Sequence, residues 1–291
     1  MNKNKDLLYK VPLFAVLTAV LIAVPLRVYQ YFKLINPETG FYDNKDFSIV
    51  VVYAVLAVAM FACIAFSYIK HKSIKVVTIG KDSKIFIGVS MLMALGVAVD
   101  SFGMFSDYLS LYSEGTNGYI NMSDYISAQG GSIMLIQAIF GIISAIYFAV
   151  AGISSLNKTN APKLKLLAVF PVAWCIFRLL IRFKRTISFV NVSDLLLEMF
   201  MIVFVMMFLL ALAQVNSKID EKTVFWKLFA YGCPAVMFSL VCFLPRFILI
   251  ITGNSDLVNP TYLPNFSDFT FAVYATYICI SAAKAKITVT E

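Results

Sequence analysis

Histidine is almost missing from this chain: among 291 residues only His71 is one, and it lies in a lysine-rich stretch. That removes a histidine pair for zinc, any H-E-x-x-H helix and any imidazole base within an apolar segment. No G-x-S-x-G nucleophile turn and no P-loop occur, so acyl transfer and nucleotide-driven chemistry lack their usual parts. Carboxylates such as Asp100 and Glu198 remain, but without a positive sign of catalysis we expect no catalytic residue, no metal site and no cofactor. Cysteine is scarce too. Cys63, Cys175, Cys233, Cys242 and Cys279 all fall inside apolar runs, where they read as small packing residues rather than disulfides or ligands.

Charge is the other shortage. Only 14% of the residues are charged against 60% hydrophobic, far from a soluble domain and typical of a polytopic membrane protein. Apolar stretches of about 20 residues, the length that spans a ~30 Å hydrocarbon core, lie near 11–34, 47–69, 85–106, 132–155, 164–185, 195–214, 225–251 and 269–283. The expected fold is therefore all-α with eight transmembrane helices in a single transmembrane domain, 1–291. The first stretch follows Lys3 and Lys5 as a signal peptide would, but it runs on through Pro25 and Tyr29, which reads as an uncleaved span.

Orientation follows from the lysines, since cytoplasmic loops keep excess Lys and Arg. Lys3, Lys5 and Lys10, the loop from Lys70 to Lys84, Lys158 to Lys165, Lys218 to Lys227 and the tail with Lys284 and Lys286 all fall on one side. Both termini are thus expected in the cytoplasm. The opposite loops are short and carry Glu38, Asp43, Asp107, Glu114 and Asp256. The net charge of +8 is then a topological signal and an attraction to anionic lipid, not a mark of nucleic-acid binding.

A pattern recurs before three of the apolar runs: Asn121-Met-Ser-Asp124, Asn191-Val-Ser-Asp194 and Asn265-Phe-Ser-Asp268, with a shortened copy at Asn44-Lys-Asp46. The aspartates stand 78, 70 and 74 residues apart, the length of two spans with their connections, which predicts four tandem helical hairpins at about 8–70, 84–156, 163–216 and 223–286. Ser, Asp and Asn satisfy the free N–H groups of a helix start, and a carboxylate there is favoured by the helix dipole. Asp46, Asp124, Asp194 and Asp268 are accordingly read as helix caps.

The odd-numbered spans carry Pro25, Pro171, Pro234 and Pro245 and the charges Arg27, Asp100, Arg178, Arg182 and Arg246, whereas the even spans carry only Glu198. Prolines inside spans mark helices that bend around a cavity or a neighbour. In the fourth span Gly141, Ala145 and Ala149 make a stripe of small residues for close helix packing. Arg178, Arg182 and Arg185 are spaced i, i+4, i+7, on the side where positive charge is normally sparse. An antiparallel hairpin would set Arg185 against Asp194 and Arg182 against Glu198, leaving Arg178 for Asp100 or an anion. The hypothesis is an outward-facing cationic pocket of Arg27, Arg178, Arg182 and Arg246, tuned by Asp100 and Glu198, with Asp194 as a further charge partner, for a phosphate, a carboxylate or an anionic lipid headgroup. Tyr29, Tyr31, Tyr42, Tyr108, Tyr112, Tyr119, Tyr125 and Tyr262 gather near the outer boundary, as an interfacial aromatic belt does.

The segment Trp174–Met199, WCIFRLLIRFKRTISFVNVSDLLLEM, and the first hairpin's Arg27 followed by NPETGFY resemble uncharacterised multi-pass integral-membrane proteins of low-GC Gram-positive bacteria. The resemblance implies a bacterial plasma-membrane location and brings no activity. Two functional expectations follow. One is a transporter or flippase-like translocator for an anionic or amphiphilic ligand; the other is a non-catalytic membrane subunit, sensor or immunity-type protein with structural charges. The expected partners are the lipid bilayer, an anionic lipid or small anion, and a membrane protein, with no nucleic acid.

Overall fold

The computed structural model describes residues 3–38, 40–69, 84–116, 122–156, 164–185, 192–217, 224–259 and 262–284. Among them the regular structure is helical: α1 (Lys3–Lys33), α2 (Phe47–Ile69), α3 (Lys84–Thr116), α4 (Met122–Ala128), α5 (Gly131–Leu156), α6 (Leu164–Leu167), α7 (Phe170–Arg185), α8 (Val192–Ser217), α9 (Val224–Ile251) and α10 (Phe266–Lys284). Among the described residues, seven stretches are long and apolar enough to cross a membrane: Val11–Lys33, Phe47–Ile69, Lys84–Ser113, Gly131–Ser155, Asp194–Ser217, Trp226–Ile251 and Phe266–Ala283. Large apolar side chains such as Phe14, Leu17 and Leu21 on α1 and Val58 and Phe61 on α2 stay exposed, as they do when lipid is the solvent. This is an all-α, multi-pass integral membrane protein.

The stretch expected to be the fifth span, 164–185, differs from that expectation. It breaks into α6 and α7 around Ala168 and Val169, and Pro171 falls in the first turn of α7. A proline is accommodated there because it has no N–H to donate to the turn before it. The same property prevents α6 from running smoothly into α7. At 16 residues, α7 is only about 24 Å long and carries Arg178, Arg182, Lys184 and Arg185.

A second difference concerns Asp124. It stands, exposed, in the first turn of the short helix α4 and not at the start of the following span. Gln129 and Gly130 separate α4 from α5, and Gly130 adopts φ of 82°, a left-handed conformation that a residue without Cβ reaches at little cost. At the start of α2 the Ser48 N–H donates to Asp46 Oδ1 at 2.7 Å. In α10 the capping acceptor is Asn265, whose Oδ1 takes the Ser267 N–H at 3.1 Å, while Asp268 follows within the first turn. Asn121 and Asn191, the corresponding residues of the other copies, lie outside the described residues, as do most of the lysines that set the expected orientation.

The chain forms two compact units, one of Met1–Lys81 with Val190–Glu291 and one of Asp82–Phe189. In the first unit α9 is the central helix, packed against α1, α2, α8 and α10. Its end is a left-handed cap: Gly253 has φ of 77° and the Asn254 N–H returns to Leu249 O at 2.9 Å. A short 3-10 turn, Ser255–Leu257, follows, and Val258 packs with Tyr31, Ile35 and Leu249. In the second unit α3 and α5 pair along their length and α7 packs on α5. The two helices of the expected third hairpin, α7 and α8, belong to different units.

Candidate functional site

Two arginines and two carboxylates meet inside the first unit. On α1, Arg27, Gln30 and Tyr31 are spaced i, i+3, i+4 and share a face. All three are buried, with Arg27 2% exposed and Gln30 not at all. On α8, Asp194 and Glu198 are also one turn apart and are 3% exposed each. Arg246 comes from the last two turns of α9 and is 3% exposed. Their insertion in an apolar bundle is costly unless each charge is matched and hydrogen-bonded.

The matching is dense around Asp194. Its Oδ1 receives a hydrogen bond from Arg27 Nη2 and another from the Tyr31 hydroxyl at 2.8 Å, and Arg246 Nη2 lies 3.5 Å away. Arg246 Nη1 donates to Glu198 Oε1 at 2.5 Å, and its Nε donates to the Tyr31 hydroxyl at 3.2 Å. Tyr31 thus bridges the helices: it accepts from Arg246 and donates to Asp194. The position of Asp194 in the first turn of α8 adds the favourable field of that helix's N-terminus.

The other side of Arg27 is closed by the loop after α1. Asn36 Oδ1 accepts the Glu38 N–H at 2.9 Å, the Asn36 N–H reaches Phe41 O at 3.0 Å, and the Asp43 N–H reaches Leu34 O at 2.8 Å. These bonds fold the chain back so that Ile35 and Tyr42 form an antiparallel bridge. The Tyr42 hydroxyl is thereby brought to Arg27 Nη1 at 2.8 Å and donates to Gln30 Oε1 at 3.1 Å, which also takes Arg27 Nη1 at 3.0 Å. Asn259, from the segment after α9, ties the loop down by donating to Pro37 O at 3.2 Å. Two rings flank the cations, Tyr31 at 5.1 Å from Arg27 Cζ and Tyr262 at 5.6 Å from Arg246 Cζ.

Formal charge in this cluster is zero, two guanidinium groups facing two carboxylates. Asp194 and Glu198, expected to serve arginines of their own hairpin, take Arg27 of α1 and Arg246 of α9. Sequence reasoning found the four charges but not Gln30, Tyr31, Tyr42 and Tyr262. The available signal was the i, i+3, i+4 spacing of Arg27, Gln30 and Tyr31.

The remaining expected site residues belong to the second unit. Arg178 on α7 is buried, with Cζ 5.6 Å from the Trp174 ring. Asp100 on α3 is buried, and Arg182 on α7 is half-buried. Lys184 extends over Gly130 and donates to the Ser127 carbonyl. Among the described residues no group of three or more His, Cys, Asp or Glu side chains is arranged to hold a metal ion. The five cysteines are buried and none forms a disulfide. No family model matches the chain, and no curated protein or solved structure matches it.

Proposed function

We propose that the Arg27–Asp194–Arg246–Glu198 cluster is a polar clasp that fixes α1, α8 and α9 in one arrangement, in a membrane subunit, sensor or immunity-type protein. The observation that carries this reading is charge balance: both arginines are engaged by buried carboxylates, so the cluster offers no net positive charge to an anion. In a bilayer such a network fixes which helices meet, because an unmatched charge there is costly. The protein is further read as an eight-span plasma-membrane protein with cytoplasmic termini, α6 and α7 together forming the short fifth crossing. Its surroundings are the bilayer and a membrane protein partner.

A second reading, a transporter or flippase-like translocator for an anionic or amphiphilic ligand, has its own support in the prolines. Pro25 stands two residues before Arg27 within α1, and Pro245 immediately precedes Arg246 within α9. Each removes a ladder hydrogen bond next to the clasp and gives the helix a place to bend. The two readings separate in proteoliposomes supplied with inorganic phosphate or phosphatidylglycerol. The clasp reading expects no uptake or lipid exchange above empty vesicles. Translocation abolished by Arg27→Ala in a protein that remains folded would establish the second reading.

A further inference from the structure

The second unit contains a different polar assembly, independent of the clasp. Gln137 on α5 is 1% exposed, yet neither its Nε2 nor its Oε1 has a hydrogen-bond partner among the described residues. Trp174 on α7 is equally buried, and its Nε1 has none either. A buried amide and a buried indole N–H left unmade each cost about 1–3 kcal/mol, and such groups in one place point to a ligand.

Helix register brings them together. A Cβ on Gly141 would lie 2.0 Å from Ser101 Oγ and 3.0 Å from Trp174 Cδ1, the carbon bonded to Nε1. The pyrrole edge of Trp174 therefore faces α5 at Gly141. Gly152 meets Ser90 in the same way, so α3 and α5 run antiparallel, residue sums staying constant. Gly130 meets Lys184 as Gly141 meets Trp174, which sets α7 antiparallel to α5 as well. Gln137, one turn before Gly141 on the same face, then lies level with Phe177 and Arg178, whose guanidinium sits over the Trp174 ring. Asp100, at the level of Ile142, is about 7 Å farther along the axis.

We propose that Gln137, Trp174 and Arg178 form a binding site for a phosphate group that bears or adjoins a hydroxyl. The indole N–H and the Gln137 amide N–H donate to phosphate oxygens, Gln137 Oε1 accepts the hydroxyl, and Arg178 contributes positive charge at close range. Free hydrogen phosphate and the phosphoglycerol headgroup of a lipid share that chemistry. Gln137 is six residues into α5, about 9 Å below the helix start, a depth a headgroup phosphate or a small anion reaches from the boundary.

Trp174 reports on the site directly, since the chain has two tryptophans and Trp226→Phe leaves it alone. The purified protein carrying that change is titrated in micelles with inorganic phosphate, and separately with phosphatidylglycerol against phosphatidylcholine. A saturable change in Trp174 emission is expected with one or both, phosphate alone identifying a free anion and phosphatidylglycerol alone a headgroup. Gln137→Leu in the same background should weaken the response about ten- to a hundredfold, the value of a hydrogen bond to a charged group. As a folding control, Gln137→Leu should melt no lower than its parent, because an apolar isostere replaces an unsatisfied amide. Should that variant not fold, Trp174→Phe is tested by loss of ligand-induced thermal stabilisation. No response to either probe, or one that survives both substitutions, overturns the proposal.

Discussion

At the scale of single residues, Asp194 and Tyr31 hold the clasp together. Asp194→Ala leaves Arg27 and part of Arg246 without their buried counter-charge, and it is expected to cost about 3–5 kcal/mol of unfolding free energy. Tyr31→Phe keeps the ring but removes a hydroxyl that both accepts from Arg246 and donates to Asp194, and its expected cost is about 1–3 kcal/mol. Denaturant unfolding in micelles measures both, and equal stability of wild type and Asp194→Ala would refute the clasp. The four charges were legible because an ionised side chain within an apolar run is rare and costly. Tyr31 and Tyr262 were not, since tyrosines near the boundary are what a belt supplies anyway. Only the meeting of α1 with α8, 163 residues apart at the Tyr31–Asp194 bond, distinguishes the two roles.

At the scale of elements, the repeated Asn-x-Ser-Asp sequence marks helix starts but uses its residues differently. Asn265→Ala removes the acceptor at the start of α10 and is expected to destabilise by about 0.5–2 kcal/mol, measured by thermal unfolding. Asp46 accepts from the Ser48 hydroxyl and then from its N–H, which hold the carboxyl below its ordinary range. Its folded value is the lower one, so its contribution is complete above the ordinary range and lost as pH falls through the lowered value. Amide exchange in the first turn of α2 should therefore accelerate on acidification through that window, and Asp46→Asn should abolish the pH step. Close packing was legible as the small-residue stripe in α5, though its partner was not. Gly141→Ala would place a methyl against Ser101 and Trp174 and is expected to cost about 1–3 kcal/mol, with partial rescue by Ser101→Ala. The break before α7 was hidden because a proline early in an apolar run reads equally as a kink within a span or as the first turn of a new helix.

At the scale of the whole molecule, composition settled the class, since so apolar a chain has only helices or closed barrels open to it in a bilayer. Segment lengths then gave helices. How the helices group was less legible: the aspartate spacing suggested successive hairpins, but α8 packs on α9 and α7 on α5, contacts that side-chain fit decides and chain order does not. The proposed eight crossings put both termini on one side, whereas seven would separate them. Protease protection of terminal tags in sealed spheroplasts should find both tags internal, and opposite accessibility would remove α6 and α7 from the count of spans. The central claim is that the buried arginines and carboxylates of the first unit stabilise one another. A double-substitution cycle on Arg246 and Glu198 tests it most directly, by denaturant unfolding of Arg246→Met, Glu198→Met and the pair. Each single change is predicted to cost about 3–5 kcal/mol and the pair to recover a large part of that loss, because no charge is then left unmatched. Losses that simply add would contradict the clasp.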